Sequence, residues 1–443
     1  MANLFRIVYY LLSALRRAYW KPSKLRKFQE KRLRYVIRYA YDNVPFYRRK
    51  FREANVHPDD VKYLEDLKKL PIIEKDEFRR TSPEERVSKE FDINKLKVVK
   101  TGGSTGKPLR IYLTQFEDDW RKAIYMRANI MCGQRPRDRW VAITAPHHFG
   151  DVTGLQRKLG LFAQTCLSVF DDFIKHIDFI CKFKPDILDG YSGALLLLAR
   201  EVKKRGIDVI RPKVIFGNAD LIDDVSRKFL EEVFDAPYCD QFGCAEVDRT
   251  AWNCLERNGY HMDLDSVIFE FVDENGESVA EGECGQILYT SLFNFAMPFI
   301  RYSVGDLGRT SREQCVCGVK LPLMDVVEGR KDSIIILPNG RLLSPRAFTV
   351  AMGMFRFYNY IEQFRIIQRR VDFFEVYLKM EKIDANNDVV RKELITHLVK
   401  VLNLKDSGVI FDVKIVDDIP LNKSGKLMSV VSEIYPSFKR LVM

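Results

Sequence analysis

Residues 95–113 read KLKVVKTGGSTGKPLRIYL. Lys95–Lys100 and Leu109–Leu113 have the alternating pattern of strands, and Thr101–Pro108 between them is rich in glycine and hydroxyls. Glycine lets backbone amides approach phosphate oxygens, Ser104 and Thr105 add hydroxyl donors, and Lys107 adds a charge. A Walker loop is excluded, because Thr101 stands where its first glycine belongs and Pro108 follows the lysine. A dinucleotide fingerprint opens a helix, whereas LRIYL is strand-like. The segment therefore predicts a phosphate loop between two strands, with an ordinary Gly-Ser hairpin turn as the competing reading.

Working outward, Phe116–Met131 is patterned as a long helix, and Pro22–Glu53 is helical and strongly basic up to the break at Asn43-Val44-Pro45. Trp140–Ala145, Asp186–Gly190 and Val214–Gly217 are predicted buried strands, with helices at Gly193–Lys204 and Asp223–Phe234 between and after them. Such alternation argues for a parallel sheet in an α/β layer. From Val267 to Tyr289 the pattern is antiparallel, with a hairpin signal at Asn275-Gly276 and a second at Asn339-Gly340. The expected fold class is α/β, with a boundary near Arg330–Ser333 that divides a domain 1–330 from a small tail domain 331–443.

The length of 443 residues suits a large domain plus a smaller one, and 46% hydrophobic with 30% charged residues describes a globular chain. The net charge of +11 is spread along the chain without a zinc-finger or RNA-recognition signature, so no nucleic-acid partner is expected. Nine cysteines, an odd and sparse set, exclude a disulfide framework and fit a reducing, cytoplasmic setting. The apolar run Ile7–Leu15 is too short to span a bilayer. Residues 1–20 form either an amphipathic helix in peripheral contact with a membrane or, as we expect, a helix packed on the first domain.

Four further segments follow the Gly-rich loop in order: Phe242-Gly243-Cys244-Ala245-Glu246, Arg301-Tyr302-Ser303-Val304-Gly305-Asp306, Gly329-Arg330-Lys331-Asp332 and Pro420-Leu421-Asn422-Lys423-Ser424-Gly425-Lys426. With Thr101–Pro108 they resemble the motifs of the adenylate-forming superfamily of acyl-CoA synthetases, luciferases and peptide-synthetase adenylation domains. RLRYVIRYAYDNVPFYRRKF, LEDLKKLPIIEKDEFR and PDILDGYSGALLLLA are similar to the phenylacetate–CoA ligase and CapK-like branch. The resemblance implies a large ATP- and acid-binding domain, with mixed sheets layered with helices, and a small mobile α+β C-terminal domain. It implies a ligase that uses ATP and Mg2+ to activate a carboxylic acid as an acyl-adenylate, with CoA or another acyl acceptor.

Residue by residue, the resemblance implies ATP or AMP binding by Thr101, Gly102, Gly103, Ser104, Thr105, Gly106, Lys107, Phe242, Gly243, Asp306 and Arg330. Gly217 and Asn218 end a predicted strand, where ligands gather, and Asn218 is a candidate for contact with adenine, with a strand-end turn as the competing reading. Phe242 lies against adenine, Asp306 accepts from the ribose hydroxyls, and Arg330 bridges ribose or phosphate oxygens. Glu246 holds magnesium, Lys426 neutralises the charge that builds at the α-phosphate, and Asp332 is the hinge of the small domain. Leu427-Met428-Ser429 stand where many relatives carry an arginine, which alters the anchoring of the lysine loop.

Two constellations rest on the residues themselves. Cys254, His261, Cys315 and Cys317 offer the four soft ligands of a tetrahedral structural zinc site, against the alternative of thiols that hold no metal. His147, His148 and Tyr191 follow predicted strands and are candidates for binding the acid, with Phe149 nearby. Two other functions compete with an acid–thiol ligase: an adenylyltransferase that stops at an AMP conjugate, and a basic membrane- or nucleic-acid-binding protein.

Overall fold

The computed structural model describes residues 3–101, 109–150, 152–171, 173–219, 221–222, 224–328, 335–339, 342–343, 345–381, 387–405, 407–420 and 429–434. The chain forms two compact units, each built from two stretches: Met1–Arg135 with Cys239–Val327, and Pro136–Tyr238 with Glu328–Met443.

In the first unit the hairpin expected around the Gly-rich loop is present: Lys97–Lys100 pairs antiparallel with Arg110–Leu113. Helix Gln115–Met131 follows, opened by a capping box in which Thr114 and Glu117 satisfy each other's backbone amides. Its main sheet runs Val267–Val272, Gly285–Ser291, Tyr302–Thr310, Leu323–Glu328, Tyr260–Met262, Asp248–Asn253 and Tyr238–Cys244, the last entering the unit at Cys239. Asn275-Gly276 does turn the chain, with Gly276 at φ +79°, but the turn closes on a single bridge from Val272 to Ser278. The partner of Val267–Val272 begins only at Gly285.

A buried ionic network joins three elements of this unit. Arg127, fully buried on helix Gln115–Met131, places Nη2 2.6 Å from Asp263 Oδ1 and Nη1 2.8 Å from Asp265 Oδ1. Arg17, at the end of helix Leu4–Arg17, reaches Asp265 Oδ2 at 2.7 Å, and Arg249 reaches Asp263 Oδ2 at 3.2 Å. Trp252 Nε1 and the Ala14 carbonyl take further contacts with Asp263 and Arg127. Burial alone would raise the pKa of Asp265, yet Arg127 and Arg17 hold it below the ordinary carboxylate range.

The second unit contains the parallel layer. Its strands lie in the order Gln164–Ser168, Trp140–Thr144, Ile187–Tyr191, Val214–Asn218, all parallel. Sequence order therefore reverses at Trp140–Thr144, whose carboxyl end is a topological switch point of the kind where α/β proteins bind ligands. Helices Phe173–Phe183, Ser192–Lys204 and Asp224–Phe234 cover it. The tail of this unit has a sheet ordered Ile410–Ile415, Phe373–Met380, Ile361–Arg370, Val430–Ser432 and a core drawn wholly from residues 335–430. The second expected hairpin is present, with Ile335–Ile336 antiparallel to Leu342–Leu343; Gly340 lies outside the described residues.

Asp265→Asn should cost about 3–5 kcal/mol at neutral pH, because one partner of a buried pair is removed. The depressed carboxyl contributes stability above the unfolded pKa of about 3.9 and loses it as pH falls through the lower folded value. Urea midpoints of variant and wild type should thus differ by a constant amount from about pH 7 to pH 5 and converge below about pH 4.

Candidate active site

In the first unit, strand Tyr238–Cys244 ends in a tight turn. A Cβ at Gly243 would lie 2.2 Å from the Asp248 carbonyl oxygen, so only glycine fits there. The pairing with Asp248–Asn253 shifts register at the same point, between Phe242 and Gly243. This bulge turns the chain so that Glu246 is almost fully buried. Arg121 donates to the Ala245 and Glu246 carbonyls, and Asn294 Nδ2 donates to the Glu246 carbonyl at 3.3 Å. The carboxylate itself receives Lys75 Nζ at 2.8 Å and the Tyr302 hydroxyl at 3.1 Å, both on Oε1.

Asp306 sits on strand Tyr302–Thr310, buried, with Oδ2 accepting from the Tyr289 hydroxyl at 2.9 Å. Gly305 before it takes φ +86°. The two carboxylates share surroundings. Burial raises the Cys244 thiol well above its ordinary pKa, and the charges of Glu246 and Asp306 raise it further. Tyr289 is pushed up by burial and then by Asp306, with Glu246 adding to the effect. Phe242, on the strand that leads to Glu246, is buried, with Tyr260 edge-on at 6.1 Å. Thr101 closes the base of the Gly-rich loop: its amide and hydroxyl bond Leu109 at 3.1 and 2.9 Å.

In the second unit, candidates gather at the carboxyl ends of parallel strands. His148 follows Trp140–Thr144, and its Nδ1 lies 3.0 Å from the hydroxyl of Tyr191, which ends Ile187–Tyr191. Gly217 and Asn218 end the next strand. A Cβ at Gly217 would fall 1.7 Å from the Tyr238 hydroxyl oxygen, so the ring of Tyr238 occupies the space a side chain would need. That hydroxyl lies 2.8 Å from Ser192 Oγ, which also bonds the Asn218 carbonyl at 3.2 Å. Asn218 Nδ2 donates to Asp189 Oδ1 at 3.0 Å.

The sulfur-rich set lies in the first unit. The ligand atoms of Cys254, His261, Cys315 and Cys317 all fall within 4.8 Å of one another. Cys254 Sγ is 3.4 Å from Cys315 Sγ, and Cys317 Sγ is 3.4 Å from His261 Nε2. Zn–S bonds of about 2.3 Å imply tetrahedral edges of roughly 3.8 Å, so the donors are already near the spacing zinc requires. His261 Nδ1 lies 3.1 Å from the Leu321 carbonyl, to which it can only donate, and this leaves Nε2 as the ligand nitrogen. Burial pushes the Cys317 thiol up to about 12 in the absence of a cation.

The structure thus brings together Glu246, Asp306 and Phe242 in one unit, His148, Tyr191, Gly217 and Asn218 in the other, and the four sulfur and imidazole donors. Residues Gly102 to Lys107, Arg330, Asp332, Lys426 and the side chain of His147 lie outside the described residues. Sequence reasoning missed Lys75, Tyr289 and Tyr302 as partners of the carboxylates. Lys75 and Tyr302 both stand inside quoted motifs, but an ion pair across 171 positions leaves no local signal.

The fold is that of the adenylate-forming CoA ligases. 2-Hydroxyisobutyryl-CoA ligase, solved in the postadenylation state with 2-HIB-AMP, superposes with a TM-score of 0.78 at 20% identity over 94% of this chain and 91% of that one. Phenylacetate–coenzyme A ligase of Pseudomonas putida is 30% identical over 329 residues, 71% of this chain and 72% of its own. The enzyme of that name from Escherichia coli K12 is 31% identical over 332 residues, 71% and 73% of the two chains. Protein CapK of Staphylococcus aureus is 23% identical and covers 93% of this chain and 90% of its own. No protein-family model matches the chain. The chain belongs to the phenylacetate–coenzyme A ligase family.

Gly243→Ala forces a Cβ against the Asp248 backbone and should lower stability by about 1–3 kcal/mol or more, as overpacking does. Calorimetry should show a lower Tm, and an unchanged Tm would mean that the turn before Glu246 relaxes freely.

Proposed function

We propose that the protein condenses a carboxylic acid with ATP and passes the acyl group to CoA. The acid's oxygen attacks the α-phosphorus and pyrophosphate leaves; the thiol sulfur then attacks the acyl carbonyl and AMP leaves. The observation that carries this reading is the pair of buried carboxylates, Glu246 and Asp306, at the motif positions of a family whose relatives are CoA ligases.

Two anions repel, so the first step needs positive charge fixed where negative charge develops. Magnesium, bound with ATP, supplies such charge, and Glu246 is the residue that would hold it. Lys75, 2.8 Å from that carboxylate, adds a fixed ammonium to the same corner. Lys426 supplies the remaining charge, and its glycine neighbour Gly425 lets the loop fold tightly. Asp306 takes the ribose hydroxyls, Phe242 meets adenine, and Gly102 to Lys107 cradle the phosphates with Arg330 beside them. His148 and Tyr191, hydrogen-bonded at a switch point, are suited to orient the acid. Residues 331–443, which share a compact unit with Pro136–Tyr238, are the domain we expect to move, turning at Asp332, and the core drawn from residues 335–430 supports this. All nine cysteines are free, which fits the cytoplasm.

Lys426→Ala should slow acid-dependent pyrophosphate release by about 100-fold or more while ATP affinity changes little, because the charge acts mainly in the transition state. A screen of carboxylic acids that begins with phenylacetate, with and without CoA, supplies the assay. AMP release only when CoA is present supports thioester formation. An AMP conjugate that persists with CoA present would favour an adenylyltransferase.

We also assign a structural zinc to Cys254, His261, Cys315 and Cys317, whose four N and S donors leave no open position for catalysis. Metal analysis should find one zinc per chain. Cys315→Ser with Cys317→Ser should abolish it and lower the Tm. Zinc affinity should fall as pH falls, because the ion competes with protons for thiols as weakly acidic as Cys317.

A further inference from the structure

Helix Leu4–Arg17 is apolar on two opposite faces. At 3.6 residues per turn, Ile7, Leu11 and Ala14 share one side, and all three are buried against Trp120, Ala123 and Ile124 of helix Gln115–Met131. Phe5, Val8, Tyr9 and Leu12 share the other side, and they are 89, 44, 68 and 62% exposed. An amphipathic helix of a globular protein needs only the first stripe. The second consists of large apolar side chains, two of them aromatic, in unbroken i, i+3, i+4, i+7 spacing.

The helix is firmly held, so this face is presented rather than frayed. Arg6 Nε reaches Asp119 Oδ2 at 2.7 Å, Arg17 reaches Asp265, and Lys320 N bonds the Ala18 carbonyl at 2.8 Å.

Charge around the stripe has one sign. Residues 3–29 contain seven lysines and arginines and no aspartate or glutamate. Three of the seven, Arg6, Arg17 and Arg26, are neutralised by carboxylates. Arg16, which continues the exposed stripe by one turn, and Lys21, Lys24 and Lys27 are exposed, and none has an acidic partner among the described residues. Lys24 lies only over the Trp20 ring, at 4.2 Å.

We propose that helix Leu4–Arg17 docks the protein on an anionic lipid surface. Phe5, Val8, Tyr9 and Leu12 enter the headgroup–acyl boundary, and Arg16, Lys21, Lys24 and Lys27 meet lipid phosphates. A second copy of the chain fits this face less well, because a symmetric contact would bring two sets of unpaired cations together. No helix among the described residues is long and apolar enough to cross a membrane, so the attachment is peripheral. None of the proposed lipid-facing residues is among those placed at the site.

The test is flotation of the full-length protein with vesicles of phosphatidylcholine alone or containing about 30% phosphatidylglycerol. Wild type should float with the anionic vesicles at least about tenfold more than with the neutral ones and should be released at about 0.5 M salt. Phe5→Ser/Tyr9→Ser/Leu12→Ser, and separately Arg16→Glu/Lys21→Glu, should each cut binding about tenfold or more, with Tm and soluble ligase activity unchanged. Wild type that fails to float, or triple-serine protein that floats as well as wild type, overturns the proposal. So does a dimer by sedimentation that the triple-serine change splits while wild type ignores vesicles, which would assign the face to a second copy.

Discussion

Arg127 is the fixed point of the first unit. A guanidinium held out of water costs several kcal/mol unless its charge is matched, and here Asp263 and Asp265 match it at 2.6 and 2.8 Å. The geometry binds three otherwise separate pieces of chain: helix Leu4–Arg17 through Arg17 and the Ala14 carbonyl, helix Gln115–Met131 through Arg127 itself, and the sheet through Arg249 and Trp252 of strand Asp248–Asn253 and through Asp263 and Asp265 in the turn before Val267–Val272. An apolar cluster of equal volume could hold these pieces as tightly, but without directional contacts between named partners. Charge pairs specify one arrangement, and that arrangement sets which face of helix Leu4–Arg17 points inward.

The two units position chemistry by different means. In the antiparallel unit, side chains reach the site by bulge and turn: the register shift at Phe242–Gly243 swings Glu246 inward, where Lys75 and Tyr302 are waiting. In the parallel layer no such distortion is needed. The carboxyl ends of Trp140–Thr144, Ile187–Tyr191 and Val214–Asn218 bring His148, Tyr191 and Asn218 to one edge by topology alone. Gly217 is required there because Tyr238 fills its side-chain space.

Much of this was legible in the sequence. The helix around 116–131, three of the four parallel strands and the pairing of Ile335–Ile336 with Leu342–Leu343 follow from periodicity and turn chemistry, which are local, whereas the edge strand Gln164–Ser168 does not stand out. The grouping of Cys254, His261, Cys315 and Cys317 was also legible, because few residue types serve as soft ligands. The Arg127 network was not. Nothing near Arg127 distinguishes it from the exposed arginines around it, and its acidic partners lie more than 130 positions away. Lys75 was hidden for the same reason. The double-faced character of helix Leu4–Arg17 was hidden in another way: the apolar run is visible, but which apolar side meets protein is decided by Trp120 and Arg127.

The network also has a consequence for synthesis on the ribosome. Arg127 is made long before Asp265, 138 positions later, and the first unit cannot close until that stretch has emerged. At about 5–20 residues per second the nascent chain waits roughly 7–30 seconds with its helices exposed and Arg127 in water. In that interval the parallel layer, made from residues between them, is completed first. The order of synthesis is thus inside-out with respect to the chain: the inserted segment is made in full before the unit it interrupts, while its own companion stretch, Glu328–Met443, is made last.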